Sequence, residues 1–242
     1  MLVLAIDTTS DHGGVAIYQD LDRLAGNPNT GSSGYSVTLF HSVERALAEA
    51  GAKLSTPSLS LRDIELFAVA NGPGSFTGIR SGVAATQGWA TALGTPVQAI
   101  SILEVMAGEC PLESGLFAPI MDARRGEFYT RFFRRGADGE QRFLEAVGEG
   151  KVAKPEELKY MVEQRSRTGQ RVTCVVREQD QAAEALRLRF ADSMRWSKVS
   201  AFLVGGVARL ALEAHQRGKV QSPADLDACY IRRSDAELNW RS

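Results

Sequence analysis

The sequence predicts an α/β protein built from two similar lobes. One order of predicted elements, namely three strands, a helix, a strand and a helix, occurs twice along the chain. In both halves the first predicted hairpin opens on an aspartate, Asp7 and then Asp122. The 242 residues, 44% of them hydrophobic and 24% charged, suffice for two lobes that share a ligand-binding cleft. We therefore expect domains at residues 1–109 and 110–242.

The first half begins with two short strands, LVLAI and VAIY, around a glycine-containing turn. The tract LAGNPNTGSSG is predicted to be a loop, YSVTLF a third strand and HSVERALAEAG the first helix, because Val43, Leu47 and Ala50 recur at helical spacing. ELFAVA is then a fourth strand, residues 79–93 a helix that ends at Gly94, PVQAI a fifth strand, and SILE the capping box of a further helix.

The second half repeats this order with little shared residue identity. Three strands are predicted at GLFAPIMD, EFYTRFFRR and QRFLEAV, with turns at DARRG and ADG. PEELKYMVEQ is predicted as a helix, RVTCVV as a strand and EQDQAAEALRLRF as a helix, before a last helix, VSAFLVGGVARLALEAHQRG, and the tail ACYIRRSDAEL.

The charge balance argues against a broad nucleic-acid-binding surface. There are 28 basic and 29 acidic residues, so the net charge of -1 provides no general attraction for a phosphate backbone. Any RNA contact is therefore expected to be local or to occur through a partner. Three distant cysteines without a CxxC pair predict neither disulfides nor zinc, and no apolar run suggests a signal peptide or a membrane span, so we expect a cytoplasmic protein.

Glycine is concentrated in NGPGSFTGIRSG, residues 71–82, between a predicted strand and a predicted helix. Gly72 and Gly74 permit a tight turn, Ser75 or Thr77 can cap the helix, and free backbone N–H groups at a helix start attract anions. One interpretation is a phosphate or carboxylate cradle that Arg80 reinforces. The alternative is a turn whose glycines only permit packing. The loop matches neither a Walker motif nor a dinucleotide-binding fingerprint.

The segment Asp7, Thr8 and Thr9 raises the same two alternatives. These residues could contact phosphate and so complete a nucleotide site with the glycine loop, or they could close a hairpin through side-chain hydrogen bonds. A nucleophile, base and orienting acid can also be drawn from Ser75, His41 and Asp7, although nothing in the spacing fixes their geometry.

The predicted helix at 79–93 has one face that is almost free of side chains. That face carries the small residues Gly78, Gly82, Ala85, Gly88 and Ala92. Glycine inside a helix costs about 1 kcal/mol relative to alanine, so some close contact must compensate. We favour a helix-to-helix interface with a second subunit, anchored by Trp89, over packing on the protein's own sheet.

The segment ARRGEFYTRFFRR combines five arginines with four aromatic residues. It could form an RNA-binding surface with stacking platforms. The alternative is an ordinary strand, whose alternation would place Phe128, Thr130 and Phe132 on one face.

Several of these motifs together resemble the TsaB (YeaZ) family, bacterial accessory proteins of tRNA threonylcarbamoyladenosine synthesis. They are AIDTTS, the HS pair at His41 and Ser42, NGPGSFTGIRSGVAATQGWA, SILE and MDARRGEFY. The resemblance covers about the first 130 residues; near the end it rests on YIRR, where the family usually has a proline and this chain has Ala228. It implies an actin/Hsp70/sugar-kinase-like (ribonuclease-H-like) fold.

The resemblance also implies a non-catalytic role. The catalytic relative, TsaD, transfers a threonylcarbamoyl group to an adenosine beside the anticodon and holds a metal with an HxxxH motif. The corresponding helix here, SILEVMAGE, has no histidine, and His12, His41 and His215 lie in different elements. We therefore expect no catalytic residue and no metal site in this chain.

The implied partners are a TsaD-like catalytic subunit, a TsaE-like ATPase and a second copy of the chain, with tRNA reached indirectly through the complex. No cofactor is required, although ATP or ADP could lie at an interface within the complex. The alternative is an enzyme, either a nucleotide-binding hydrolase or a glycoprotease-type peptidase. The residues expected at the partner interface are His41, Glu44, Arg45, Gly78, Arg80, Gly82, Ala85 and Trp89.

Overall fold

The computed structural model describes residues 1–29, 34–136, 144–219 and 221–232. The chain forms two compact units. The first contains Met1–Val105 and Phe202–Cys229, and the second contains Met106–Ala201 and the residues from Tyr230 onward. A single boundary at 109/110 therefore does not describe the packing, because a late segment returns to the first unit.

Ten strands are found in the described part of the chain. They are β1 (Leu2–Asp7), β2 (Gly14–Gln19), β3 (Asp22–Pro28), β4 (Leu66–Gly72), β5 (Val97–Ser101), β6 (Gly115–Asp122), β7 (Phe128–Arg135), β8 (Glu145–Ala153), β9 (Val172–Arg177) and β10 (Arg195–Val199).

Six α-helices accompany these strands in the same described ranges. They are α1 (Tyr35–Lys53), α2 (Phe76–Leu93), α3 (Ile102–Glu109), α4 (Pro155–Arg167), α5 (Gln181–Arg189) and α6 (Val204–Gln216). No helix among the described residues has both the length and the apolar character needed to cross a bilayer.

Each unit contains one mixed five-stranded sheet, and the two sheets have the same connectivity. The strand order is β3-β2-β1-β4-β5 in the first unit and β10-β9-β6-β7-β8 in the second. In each unit, the three strands that come first in the chain, β1 to β3 or β6 to β8, pair antiparallel. The two later strands, β4 and β5 or β9 and β10, are added in parallel. The predicted duplication of three strands, a helix, a strand and a helix is thus confirmed.

The centre of the first sheet consists of β1 and β4, which are buried almost throughout. Continuous apolar runs are typical of strands that are covered on both faces. Helices α1 and α2 pack on this sheet through an apolar stripe, and α6 packs against β1, β4 and β5. This packing of α6 explains why residues 202–229 belong to the first unit.

Two predicted elements of the first unit are wrong. YSVTLF is not a strand but the start of α1, because Tyr35 and Leu39 continue the buried helical stripe of Val43 and Leu47. The third strand lies instead at Asp22–Pro28 and overlaps the start of the tract predicted as a loop. This strand is at the sheet edge, where glycine and proline are tolerated because one side of the strand needs no partner.

The second unit contains one strand that was not predicted, β10. Its sequence RWSKV is mostly polar and lies at the edge of the sheet, so it carries no apolar alternation. The last predicted helix begins later than expected, at Val204. The predicted turn at ADG and the start of the predicted strand QRFLEAV lie outside the described residues, and β8 is described from Glu145.

Cys110, Cys174 and Cys229 all lie in the described ranges, and none of them forms a disulfide. Burial raises the pKa of the Cys174 thiol, so this group stays protonated and behaves as a small apolar core side chain.

Arg135, the last residue of β7, holds the end of α3 and the turn that follows. Its guanidinium donates to the carbonyl oxygens of Ala107 and Gly108 at 3.0 and 2.9 Å, and to those of Cys110 and Leu112 at 3.2 and 2.7 Å. The last carbonyl groups of a helix lack intrahelical partners, so this side chain acts as a C-terminal cap.

We expect Arg135→Met to lower the free energy of unfolding by about 2–4 kcal/mol, because charge-assisted hydrogen bonds to four carbonyl groups are lost. The matched control is Arg134→Met, whose exposed side chain pairs with Glu145 at 3.8 Å and should change stability by less than about 1 kcal/mol. Urea denaturation of both variants checks this; equal effects would show that the cap does not stabilise the unit.

Candidate functional site

The glycine loop packs directly on the turn that follows β1. Asp7 Oδ1 accepts hydrogen bonds from the backbone N–H of Thr9 at 2.9 Å and from its hydroxyl at 2.6 Å. The backbone N–H of Ser75 donates to the Thr9 carbonyl oxygen at 2.8 Å. Asp7, Thr8 and Thr9 are all buried. The two segments that were predicted to form one site are therefore in contact.

The glycines of this loop permit a very close approach of backbone to backbone. Gly72 and Gly74 have φ values of 125° and 157°, in the region that favours glycine. A β-carbon at Gly74 would overlap the Thr9 carbonyl oxygen, and one at Gly72 would lie 2.6 Å from the Cys229 carbonyl oxygen. These contacts favour the packing alternative for the loop.

The start of α2 is already capped. The Ser75 hydroxyl accepts a hydrogen bond from the backbone N–H of Gly78 at 3.3 Å, as the sequence predicted for an N-cap residue. The Arg80 guanidinium lies over the Phe76 ring, with 3.8 Å between its central carbon and the ring centroid. Thr8 Oγ1 is buried and has no hydrogen-bond partner among the described residues.

Two of the small residues of α2 do not face outward. Gly78 and Gly82 are buried, and a β-carbon at either position would overlap Thr8, at its carbonyl oxygen or at its hydroxyl. The prediction that these two glycines present a bare surface to a second subunit is therefore wrong. They let α2 pack on the end of β1. Gly88 differs, because a β-carbon there would meet nothing within 4 Å.

The surface that remains accessible is formed by α1 and α2 together. Val37 and Phe40 are 73% and 58% exposed, and the Phe40 ring meets Trp89 edge to face, with centroids 5.5 Å apart. We call this surface the α1–α2 face and define it by the exposed or partly exposed residues Val37, Phe40, His41, Glu44, Arg45, Ala84, Gly88 and Trp89. Arg80 is also exposed, but it lies nine residues before Trp89 and so about half a turn around α2 from it.

The charged residues of α1 that were predicted for the interface lie on this face. His41 Nδ1 is 3.9 Å from Glu44 Oε2, and Arg45 Nε is 3.8 Å from Glu49 Oε1, all on exposed side chains of α1. Exposed pairs of this kind contribute little to stability and so leave the groups available to a partner. Ala85 is partly buried and packs on the core of the first unit.

Val37 and Phe40 were not among the residues predicted for the interface because YSVTLF was assigned to a strand. Their spacing of three residues, continued by His41 and Glu44, would have indicated one exposed face of a longer helix.

Ser75, His41 and Asp7, which were considered as a nucleophile, base and acid, each contact other residues. Ser75 caps α2, Asp7 binds Thr9, and His41 lies beside Glu44 on α1. In the described ranges, no cluster of three or more His, Cys, Asp or Glu side chains is arranged to hold a metal ion.

Asp122 in the second unit repeats the role of Asp7. Its Oδ1 accepts a hydrogen bond from the backbone N–H of Arg124 at 2.7 Å, two residues on, as Asp7 accepts one from Thr9. Both aspartates thus close the turn after the first strand of their unit.

Three of the four aromatic residues of β7 are buried and so are not available to stack on RNA bases. Phe128 and Phe132 belong to the core of the second unit, and Phe133 is also buried. Thr130 lies on the same face as Phe128 and Phe132, as the alternation predicted. The interpretation as an ordinary strand is confirmed for this part of the segment.

The repeated sheets define a duplicated α/β protein of the actin-like class, and YeaZ from Pseudomonas aeruginosa has a similar fold, with a TM-score of 0.70 at 21% identity over 95% of this chain and 99% of that one. A sequence model of the family described as TsaD, tRNA N6-adenosine threonylcarbamoyltransferase, matches residues 26–240. The chain therefore belongs to this family.

Within the family, curated relatives named "tRNA threonylcarbamoyladenosine biosynthesis protein TsaB" confirm the resemblance to TsaB. The protein of Bacillus subtilis is 34% identical over 134 residues, which is 55% of this chain and 56% of the relative. That of Escherichia coli is 32% identical over 141 residues, 57% of this chain and 58% of the relative. The chain spans about half the length of the curated relatives it matches.

We expect Gly78→Ala to destabilise the protein by about 1–3 kcal/mol, because the new methyl group overlaps the Thr8 backbone. Gly88→Ala, in the same helix, should stabilise it by about 0.5–1 kcal/mol, because its site is open and alanine favours a helix. Thermal and urea unfolding of both variants measure the difference, and equal effects would contradict the close contact between Gly78 and Thr8.

Proposed function

We propose that this chain is an accessory subunit in tRNA threonylcarbamoyladenosine synthesis, which modifies the adenosine beside the anticodon. In this proposal it binds and activates a TsaD-like catalytic subunit through the α1–α2 face. The proposal is supported by the TsaB relatives, whose name assigns them to this biosynthesis, and by the exposed apolar residues of that face.

The observation that carries the proposal is the exposure of Val37 and Phe40 beside Trp89. Exposed apolar patches rimmed by polar groups mark interaction sites, and aromatic residues at their centre dominate binding energy. Phe40 and Trp89 provide such a centre, and His41, Glu44 and Arg45 provide a charged rim. A second helical protein surface fits this arrangement, because small residues at Ala84 and Gly88 permit a close approach.

The other proposed partners rest on the same resemblance to TsaB. We include a TsaE-like ATPase and a second copy of this chain as further partners, and place the complex in the cytoplasm, where it meets its tRNA. We propose that this chain itself requires no cofactor and that ATP or ADP binds at an interface within the complex.

The hydrolase and peptidase alternatives gain no support from the glycine loop. The loop glycines are pressed against Thr9 and Cys229, and the Ser75 hydroxyl is engaged in capping α2. An anion at this position would have to displace those contacts.

We expect Phe40→Glu to weaken binding to the TsaD-like partner by about 30-fold or more, because a charge would be buried at the centre of the contact. The matched control is Leu188→Glu on α5 of the second unit, where the side chain is similarly exposed and binding should change less than about twofold. Calorimetric titration measures both, and equal affinities for the two variants would contradict the proposed face.

The isolated chain should neither turn over ATP nor cleave peptides. Phosphate release and a fluorogenic peptide assay on the purified protein check this, with the assembled complex as the positive control for ATP turnover. Activity of the chain alone that is lost in Ser75→Ala would instead support the enzyme alternative.

A further inference from the structure

The connection between β6 and β7 has an unusual backbone for its residues. Arg124 and Arg125 have φ values of 64° and 60°, and Gly126 follows with 72°. The backbone N–H of Glu127 donates to the Arg124 carbonyl oxygen at 3.1 Å, so Arg125 and Gly126 are the central residues of a tight turn. We call residues Arg124 to Gly126 the arginine turn.

Arginine is a poor choice for this backbone. Tight hairpin turns with positive φ at both central residues favour Asn-Gly, because asparagine and glycine tolerate the left-handed region and longer side chains do not. The chain has glycine at only one of three consecutive left-handed positions. Strained backbone positions cluster at functional sites, which points to a use for the two arginine side chains.

The backbone of the arginine turn is fixed from both sides. Asp122 Oδ1 accepts from the Arg124 backbone N–H at 2.7 Å, and Ala123 N–H donates to the Glu127 carbonyl oxygen at 2.9 Å. Arg232 donates to the Ala123 carbonyl oxygen at 2.8 Å and pairs with the Glu127 carboxylate. The turn therefore presents its two arginines from a rigid base.

The Arg124 side chain projects into solvent. It is 81% exposed, and its Nη1 lies 3.6 Å from Asp122 Oδ2. An exposed pair at this distance is weak and is readily replaced by a stronger anionic partner. Arg125 is exposed as well. Guanidinium groups bind phosphate through two parallel hydrogen bonds, which lysine cannot reproduce.

We propose that the arginine turn contacts the phosphate backbone of the tRNA. This inference rests on the proposed function, since it takes the tRNA to be the polyanion that the complex handles. The net charge of -1 means that the contact is local, and the turn lies beside the carboxylates of Asp122 and Glu127. Phosphate contacts of this kind fix the position of a nucleic acid and carry no sequence information.

The test compares the wild-type chain with Arg124→Asn/Arg125→Asn, using unmodified tRNA and fluorescence anisotropy over a series of salt concentrations. The double variant should bind tRNA about tenfold more weakly at low salt, and the slope of log K against log salt should fall by about 2. Its Tm should rise by about 2–4 °C, because asparagine relieves the backbone strain. Affinity and stability thus change in opposite directions, so loss of fold cannot explain the loss of binding.

Two controls isolate the turn. Arg62→Asn/Arg167→Asn removes the same charge from exposed positions elsewhere and should leave the tRNA affinity within about twofold of wild type. Arg124→Lys/Arg125→Lys keeps the charge, so most of the salt dependence should remain. The tRNA affinity should fall only by the contribution of the bidentate hydrogen bonds, which lysine cannot form.

Three results would overturn the proposal. The first is a wild-type chain that binds no tRNA at low salt, and the second is a double variant with unchanged affinity and slope. The third is a double variant that keeps tRNA affinity but loses the TsaD-like partner, which would assign the arginines to carboxylates of a protein. Partner binding is measured separately on Phe40→Glu, so failure of the α1–α2 face is distinguished from failure of the arginine turn.

Discussion

The close contact between the glycine loop and the end of β1 fixes where helix α2 packs on the sheet of the first unit. Gly74 lies on Thr9, and Gly78 and Gly82 lie on Thr8, in each case without room for a β-carbon. A helix that begins with such residues can approach a buried strand more closely than ordinary side chains allow. The position of α2 over the sheet, and with it the position of Trp89, follows from this contact.

The α1–α2 face is a consequence of that packing. Because the glycines of α2 turn toward β1, the helix directs Ala84 and Gly88 outward, and Trp89 reaches across to Phe40 on α1. The apolar residues of this surface are therefore held by a rigid core and not by a mobile loop. Preorganised aromatic groups lose little conformational entropy on binding, which suits them to a protein interface.

The sequence predicted the duplicated fold because β1, β4, β6 and β9 are apolar runs at the centres of their sheets, where burial dictates the residue type. It failed at the edges. Strand β3 contains glycine and proline, and β10 is polar, so neither shows the alternation of a half-buried strand. The start of α1 was misassigned because YSVTLF is rich in β-type residues, and only the continuous stripe from Tyr35 to Ala50 reveals the helix.

The candidate site was predicted in part for the same reason. Helical spacing identified the small residues of α2, but spacing alone does not say whether a bare face meets a foreign helix or the protein's own strand. Gly78 and Gly88 differ only in what lies opposite them in three dimensions. Likewise, the letters ARRG show a turn, while the left-handed backbone of Arg124 and Arg125 is visible only in the structure.

Hydroxyl-radical footprinting of the chain, alone and with a TsaD-like catalytic subunit, shows whether the α1–α2 face is the surface that the subunit covers. We expect Phe40 and Trp89 to lose reactivity in the complex, while Tyr160 and Leu188 on the second unit remain as reactive as in the free chain. Protection of Tyr160 and Leu188 with unchanged reactivity at Phe40 and Trp89 would contradict it.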